Sequence, residues 1–201
     1  MFMQVMKAKA KDEAGVRKAI DRWETDIKPG AAGYLGATLG FLDDGTFIVA
    51  ARFESTDAAK RNSDRPEQGE WFEEISSHFD GEPEFYDIED AQTFLDGGSD
   101  DAGFVQVMIG HSPDRDKLQQ SASEGTEELR KARPDIIGGV MGGFGDDGFV
   151  NVAYFTSEAE ARKGEASEPQ SEGAEQAEEF QRLMGDVKFY DIKNPTFYSG
   201  R

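Results

Sequence analysis

The sequence predicts an α+β fold in which one β-α-β-β-α-β unit is written twice. Three observations carry this. Four short segments of the first half return in the second half in the same order. Apolar residues alternate with period two where strands are expected and recur every three to four residues where helices are. A polar, glycine-rich stretch, Asp96-Gly97-Gly98-Ser99-Asp100-Asp101-Ala102-Gly103, separates the copies and reads as a linker. The expected domains are therefore residues 1–95 and 104–201, joined by 96–103.

The repeat is explicit. Phe2-Met3-Gln4-Val5-Met6 returns as Phe104-Val105-Gln106-Val107-Met108, an offset of 102. Gly40-Phe41-Leu42-Asp43-Asp44-Gly45 returns as Gly143-Phe144-Gly145-Asp146-Asp147-Gly148. Phe47, Ala51, Phe53, Ser55 and Ala59 match Phe149, Ala153, Phe155, Ser157 and Ala161, and Phe85-Tyr86-Asp87-Ile88 matches Phe189-Tyr190-Asp191-Ile192. One match could be chance; four in order are not.

Each element follows from local chemistry. The first strand, near Phe2 to Ala10, sets Phe2, Gln4 and Met6 on one face and Met3 and Val5 on the other. The first helix carries the stripe Val16, Ile20, Trp23, Ile27, and its counterpart carries Leu118, Ala122, Gly125, Leu129. Ser112-Pro113 is expected to cap that second helix. Strands two and three form a hairpin, with Asp-Gly turns at 44–45 and 147–148 because both residues tolerate positive φ. Ser157-x-x-Glu160 resembles a capping box. Pro66 and Pro169 interrupt the following helical regions, predicting a short helix, a bend and a longer helix. The Phe-Tyr-Asp-Ile segments are the fourth strands.

Composition narrows the function. Forty-one acidic residues against 22 basic ones leave a net charge of −19. A surface this negative repels phosphate backbones and anionic lipid, so no nucleic-acid or membrane partner is expected. Cysteine is absent, which removes disulfides and thiolate chemistry. With no signal-peptide core and no apolar run of about 20 residues, the chain reads as cytoplasmic.

Several motifs invite chemistry and then lose it. The glycines at 138–148 lack the Gly-Lys-Ser/Thr of a phosphate loop and run into a hairpin. Asp43-Asp44 and Asp146-Asp147 lack calcium-loop spacing and read as turns. With two histidines at non-equivalent places, no metal is expected. Gln4 and Gln106 are related by the repeat and suit a structural role.

One constellation stands out, in copy one. Lys60-Arg61-Asn62 and Arg65 precede Trp71, Ile75 and His78, whose spacing of four and three puts them on one helix face. A Trp and a His beside basic groups suit a flat aromatic ligand, including an anionic one. His78 and Trp71 are the catalytic candidates; Asn62 and Arg65 are the ligand-binding ones. Copy two has Phe180, Leu183 and Met184 in the corresponding region, with no Trp or His.

The strand and helix order resembles the ferredoxin-like, dimeric α/β-barrel superfamily, which includes antibiotic-biosynthesis monooxygenase-like proteins, and resembles tandem-duplicated proteins of actinobacterial type. The resemblance implies that the two repeats form an intrachain dimeric α/β barrel, sheet to sheet, so that the chain is its own pseudo-dimer. A further homodimer is compatible with it, and neither half is expected to be stable alone. Haem-degrading members use an Asn on the first strand with a Trp and a His on the second helical region. Here the first strand offers Gln4 and the Trp-to-His spacing is shorter, so no cofactor is expected. The resemblance implies either a non-catalytic or small-molecule-binding protein, or, as the alternative, a cofactor-independent monooxygenase acting on a small aromatic molecule. In the alternative His78 is the base, Trp71 a hydrophobic wall, and Arg65 or Asn62 holds an oxyanion.

Overall fold

A computed structural model of the chain describes residues 1–167 and 174–200. Copy one runs β1 (Phe2–Lys9), α1 (Glu13–Arg22), β2 (Tyr34–Phe41), β3 (Thr46–Phe53), α2 (Thr56–Ser63), α3 (Pro66–Ser76) and β4 (Glu84–Ile88), followed by a short strand, β5 (Gln92–Leu95). Copy two runs β6 (Phe104–His111), α4 (Arg115–Glu124), α5 (Thr126–Ala132), β7 (Ile136–Phe144), β8 (Gly148–Phe155), α6 (Glu158–Glu165), α7 (Ala174–Met184) and β9 (Asp186–Ile192), followed by β10 (Thr196–Ser199). Residues 96–103 form neither helix nor strand. Each copy thus has the β-α-β-β-α-β order that the repeat predicts. Among the described residues, no helix is long and apolar enough to cross a membrane.

The sheets each have five strands, in the orders β10-β2-β3-β1-β4 and β5-β7-β8-β6-β9. The fifth strand of each sheet comes from the end of the other copy. Unit 1 accordingly comprises Met1–Glu89 with the terminal strand β10, and unit 2 comprises Asp90–Pro195. The four-strand reading of each copy lacked β5 and β10, which are only four residues long.

Local signals explain most boundaries. Asp12 caps α1, its Oδ1 accepting from Gly15 N–H at 3.0 Å. Ser55 caps α2 and Ser157 caps α6, each accepting the N–H three residues on at 3.2 Å. Pro66 occupies the first turn of α3, where its missing N–H costs nothing; Pro169 lies outside the described residues. Two expectations need correction. Asp114, not Ser112, caps α4 by accepting from Lys117 N–H; the Ser112 hydroxyl instead donates to the Leu183 carbonyl at 2.5 Å. In the second hairpin the positive φ belongs to Gly145 (54°) rather than Gly148, which is a strand residue paired with Phe144. A Cβ at Gly148 would collide with the Phe144 ring.

In unit 1 the β1 register pairs Phe2 with Phe53, and Gln4 with both Ala51 and Asp87. Side chains opposite one another share a face. Phe2, Gln4, Met6, Ala37, Leu39, Phe47, Val49, Ala51, Phe53 and Asp87 therefore lie on one side of the sheet. Apolar residues of this face and of the helices and turns beside it gather in two clusters, while Met3, Val5, Ile48, Ala50 and Ile88 are buried on the other face. One gathers Met6, Val16, Ile20, Leu39, Phe47, Ile75 and Phe79; the other gathers Phe2, Ala31, Tyr34, Ala37, Phe53, Ala58 and Ala59.

Candidate functional site

Residues of both clusters, Met6, Leu39 and Phe47 from one and Phe2, Tyr34 and Phe53 from the other, wall a cavity of about 360 Å³ in unit 1. Its aromatic walls include Trp23 and Trp71, whose ring centroids are 6.3 Å apart, and Tyr34, edge-on to Trp23 at 4.9 Å. Its polar lining includes Gln4, Lys60, Asn62 and Gln68 with the carboxylates Asp64, Asp87 and Glu89.

Both indoles are fixed by their N–H groups. Trp71 Nε1 donates to the Ala19 carbonyl of α1 at 2.7 Å. Trp23 opens a five-residue π-helical turn that continues α1, and its Nε1 donates to Gln68 Oε1 at 2.9 Å. The same Gln68 oxygen accepts Asn62 Nδ2 at 3.2 Å. Asn62 Oδ1 accepts from the Arg65 guanidinium at 3.0 Å, and that guanidinium also donates to the Ile27 carbonyl at 3.0 Å. A continuous polar chain thus runs from the turn after α1 through Arg65, Asn62 and Gln68 to Trp23.

The four candidates from the sequence separate on this geometry. Trp71 and Asn62 line the cavity; Arg65 and His78 are not among its lining residues. Arg65 packs under the turn at Gly30 and holds Asn62 in place. α3 ends at Ser76, so His78 falls past the helix; like Trp71 it packs against α1, but at that helix's first turn, away from the cavity. The His78 carbonyl accepts from Lys11 and Asp12 N–H, and its Nδ1 lies 3.0 Å from Asp12 Oδ2, with Gly15 leaving room for the ring. It joins the end of α3 to the start of α1.

Three lining residues went unnoticed as site residues in the sequence. Trp23 reads there as part of an ordinary helical stripe, and Gln68 carries no motif. Tyr34 is 7% exposed, its hydroxyl has no hydrogen-bond partner among the described residues, and burial raises it well above the usual phenol range, with the Glu24 carboxylate adding to the effect. A further pair sits at the wall: Gln4 Nε2 donates to Asp87 Oδ1 at 2.7 Å.

Unit 2 shows the same face differently filled. There Gln106 Nε2 donates to Asp191 at 2.9 Å and to Glu165 at 3.3 Å. Arg162 bonds Asp191 and Glu165 and lies over the Phe104 ring, 5.1 Å from its centroid. Phe94 of β5 occupies the space that a side chain at Gly139 would need. That explains Gly139, which admits a ring from the added strand; Gly138 is instead approached by the Gly97 backbone and Gly143 by the Arg115 side chain. A space of about 10 Å³ lies among Gln92, Thr93, Phe94, Gln119 and Met141.

No protein-family model matches the chain, and no curated protein matches it. Solved structures do. A candidate monooxygenase from Lactobacillus acidophilus NCFM superposes with a TM-score of 0.72 over 98% of both chains at 10% identity. One from Fusobacterium nucleatum subsp. nucleatum gives 0.75 over 98% of this chain and 94% of that one at 11% identity. An anthrone oxidase-like protein gives 0.69 over 100% and 94%, again at 11% identity. At such identities the likeness is one of fold: two ferredoxin-like repeats in tandem.

Proposed function

We propose that unit 1 binds a small, flat aromatic molecule in the cavity between its helices and its sheet, and that unit 2 is the filled, structural counterpart. The observation that carries this is the cavity itself. At about 360 Å³ it falls within the range of small-molecule sites, and its ring-lined walls hold a few fixed polar groups, as such sites do. Trp71 and Asn62 are the ligand-contacting residues in this reading, with Trp23, Tyr34 and Gln68. Arg65 acts through Asn62. His78 fastens α3 to α1.

The test is calorimetric titration with a panel of flat two- and three-ring aromatics, on the parent chain and on Trp71→Ala. Stacking contributes about 1 kcal/mol beyond area burial. Loss of the indole should weaken binding about ten-fold or more. A ligand that binds the variant unchanged places the site elsewhere.

The cofactor-independent monooxygenase is the second reading, and its support is the fold shared with proteins named as monooxygenases and an anthrone oxidase-like protein. A ring methylene would become a ring carbonyl, one atom of O2 entering the product and the other leaving as water. The carboxylate at the cavity wall, Asp87, is then the base in preference to His78, because it lines the space. Oxygen uptake with an anthrone, lost in Asp87→Asn, would support it; no uptake by a chain that binds the anthrone would leave binding as the function.

A further inference from the structure

The two copies place equivalent residues on equivalent faces, and one of them carries a side chain that the other lacks. Phe104 pairs with Phe155 as Phe2 pairs with Phe53, and Gln106 lies between Ala153 and Asp191 as Gln4 lies between Ala51 and Asp87. Arg162 is the fifth residue after the helix cap Ser157; Lys60 is the fifth after the cap Ser55. In unit 2 the Arg162 guanidinium rests on Phe104 and bonds Asp191, the acceptor of Gln106. In unit 1 the equivalent Lys60 turns away. It pairs with Asp64 at 2.9 Å and its side chain is 71% exposed. The position of Glu165, the second carboxylate on Arg162, is taken by the small Ser63.

Unit 1 therefore keeps the ring, the glutamine and the carboxylate of a guanidinium seat but not the guanidinium. Asp87 accepts Gln4, and among the described residues no cation pairs with it. The vacated seat opens into the cavity, whose lining includes Phe2, Gln4 and Asp87. The cavity's charged lining is one cation, Lys60, already paired, against three carboxylates, Asp64, Asp87 and Glu89. An anionic ligand would meet uncompensated negative charge there, and the nearby Arg65 guanidinium does not offset it, being outside the lining and occupied by Asn62 and the Ile27 carbonyl.

From this we infer that the cavity's ligand is an aromatic molecule with a cationic head, an amine, amidine or guanidine, seated on Asp87 and Gln4 against the Phe2 ring. This rests on the binding function proposed above and adds the charge of the ligand to it. The chain's own Arg162 is the template: a planar cation stacked on a ring and bonded to a carboxylate. The aromatic body of the ligand then lies along Trp71 and Trp23.

The experiment compares three compounds that share one naphthalene body and differ in the head: a methylamine or amidine, a neutral methanol, and a carboxylate. Binding to the full chain is measured by calorimetry. The cationic compound should bind about ten-fold tighter than the neutral one, as a hydrogen bond to a charged group implies, and the carboxylate should bind weakest. Asp87→Asn should collapse the cation-to-neutral ratio to within about three-fold, since the charge that sets the preference is gone. The double variant Lys60→Arg/Ser63→Glu, which installs the pair found in unit 2, should abolish binding of all three. If the cationic and neutral compounds bind alike, or the carboxylate binds tightest, the cationic head is wrong while the cavity stands as a site. If none of the three binds, the binding function fails and this inference fails with it.

Discussion

Tyr34 and Gln68 are neighbours at one cavity with opposite energetic characters. The Tyr34 hydroxyl is buried without a partner among the described residues, so folding forfeits its hydration for nothing in return. Tyr34→Phe removes that cost and should leave stability unchanged or raise it by about 1 kcal/mol, read from urea denaturation. Gln68 Oε1 accepts from both Trp23 and Asn62. Gln68→Ala leaves those donors unmatched and should cost about 1–3 kcal/mol. It should also release Trp23, seen as a shift in tryptophan emission that Tyr34→Phe does not cause. The contrast shows what a sequence conceals at this scale. The four-residue spacing of Trp71 and Ile75 is visible in the letters, and both residues do line the cavity. The three-residue step on to His78 looks equally good, yet it assumes a helix that stops at Ser76. Gln68 belongs to no pattern at all; its importance comes from two donors that the fold brings to it from 45 and six residues away.

At the scale of elements, side-chain caps start four of the helices, and the start of α1 also carries a charge that responds to pH. Asp12 ionises below the usual carboxylate range, chiefly because its oxygen accepts the Gly15 N–H, with the nearby His78 assisting. Asp44 is lowered in the same sense by the Thr46 N–H, and Asp147 by its hydrogen bond with His111. A lowered value means that the folded chain holds these protons less tightly than the unfolded chain does. The stabilisation is complete above the unfolded range, near pH 4, and is lost as pH falls through the lowered values. Melting temperature should therefore be flat from pH 7 to about 5 and fall below pH 4, and Asp12→Asn should make the fall shallower. Ser55→Ala and Ser157→Ala should each cost about 1 kcal/mol at any pH, because a hydroxyl cap does not titrate. Most elements were legible from such local chemistry. The hairpin turns were too, although the second places its left-handed residue at Gly145, three positions earlier than the Asp147-Gly148 pair suggests. β5 and β10 were not. A Thr-Phe pair recurs in both, at 93–94 and 196–197, but four residues beside glycine and proline carry too little alternation to be told from loop.

Over the whole molecule, sheet membership and sequence order part company. β10 pairs with β2 through Thr196 to Ser199, and β5 pairs with β7 through Gln92 to Leu95. Cutting the chain at the repeat boundary would leave β2 with an unpaired edge in the first piece and β7 with one in the second. Deleting residues 196–201 alone should have the first of these effects. It removes Tyr198 from the cavity wall and bares the N–H and C=O groups of β2. The shortened chain should melt at a lower temperature, exchange β2 amides faster, and associate as concentration rises in sedimentation experiments. A monomer as stable as the parent would show that β10 contributes little.

The exchange of end strands also sets an order of events at the ribosome. Unit 2 holds residues 90 to 195 without interruption, so all of it has been made before the strand that completes unit 1 exists. β2 is synthesised early and waits for β10 while more than 150 further residues are added. At about 5–20 residues per second that wait lasts on the order of ten seconds. Throughout it, the sheet that carries the cavity has an open border, and a nascent chain on a neighbouring ribosome offers the same border. The unit that carries the cavity thus acquires its fifth strand only after the whole of unit 2 has been made, and its maturation waits on residues 196–199.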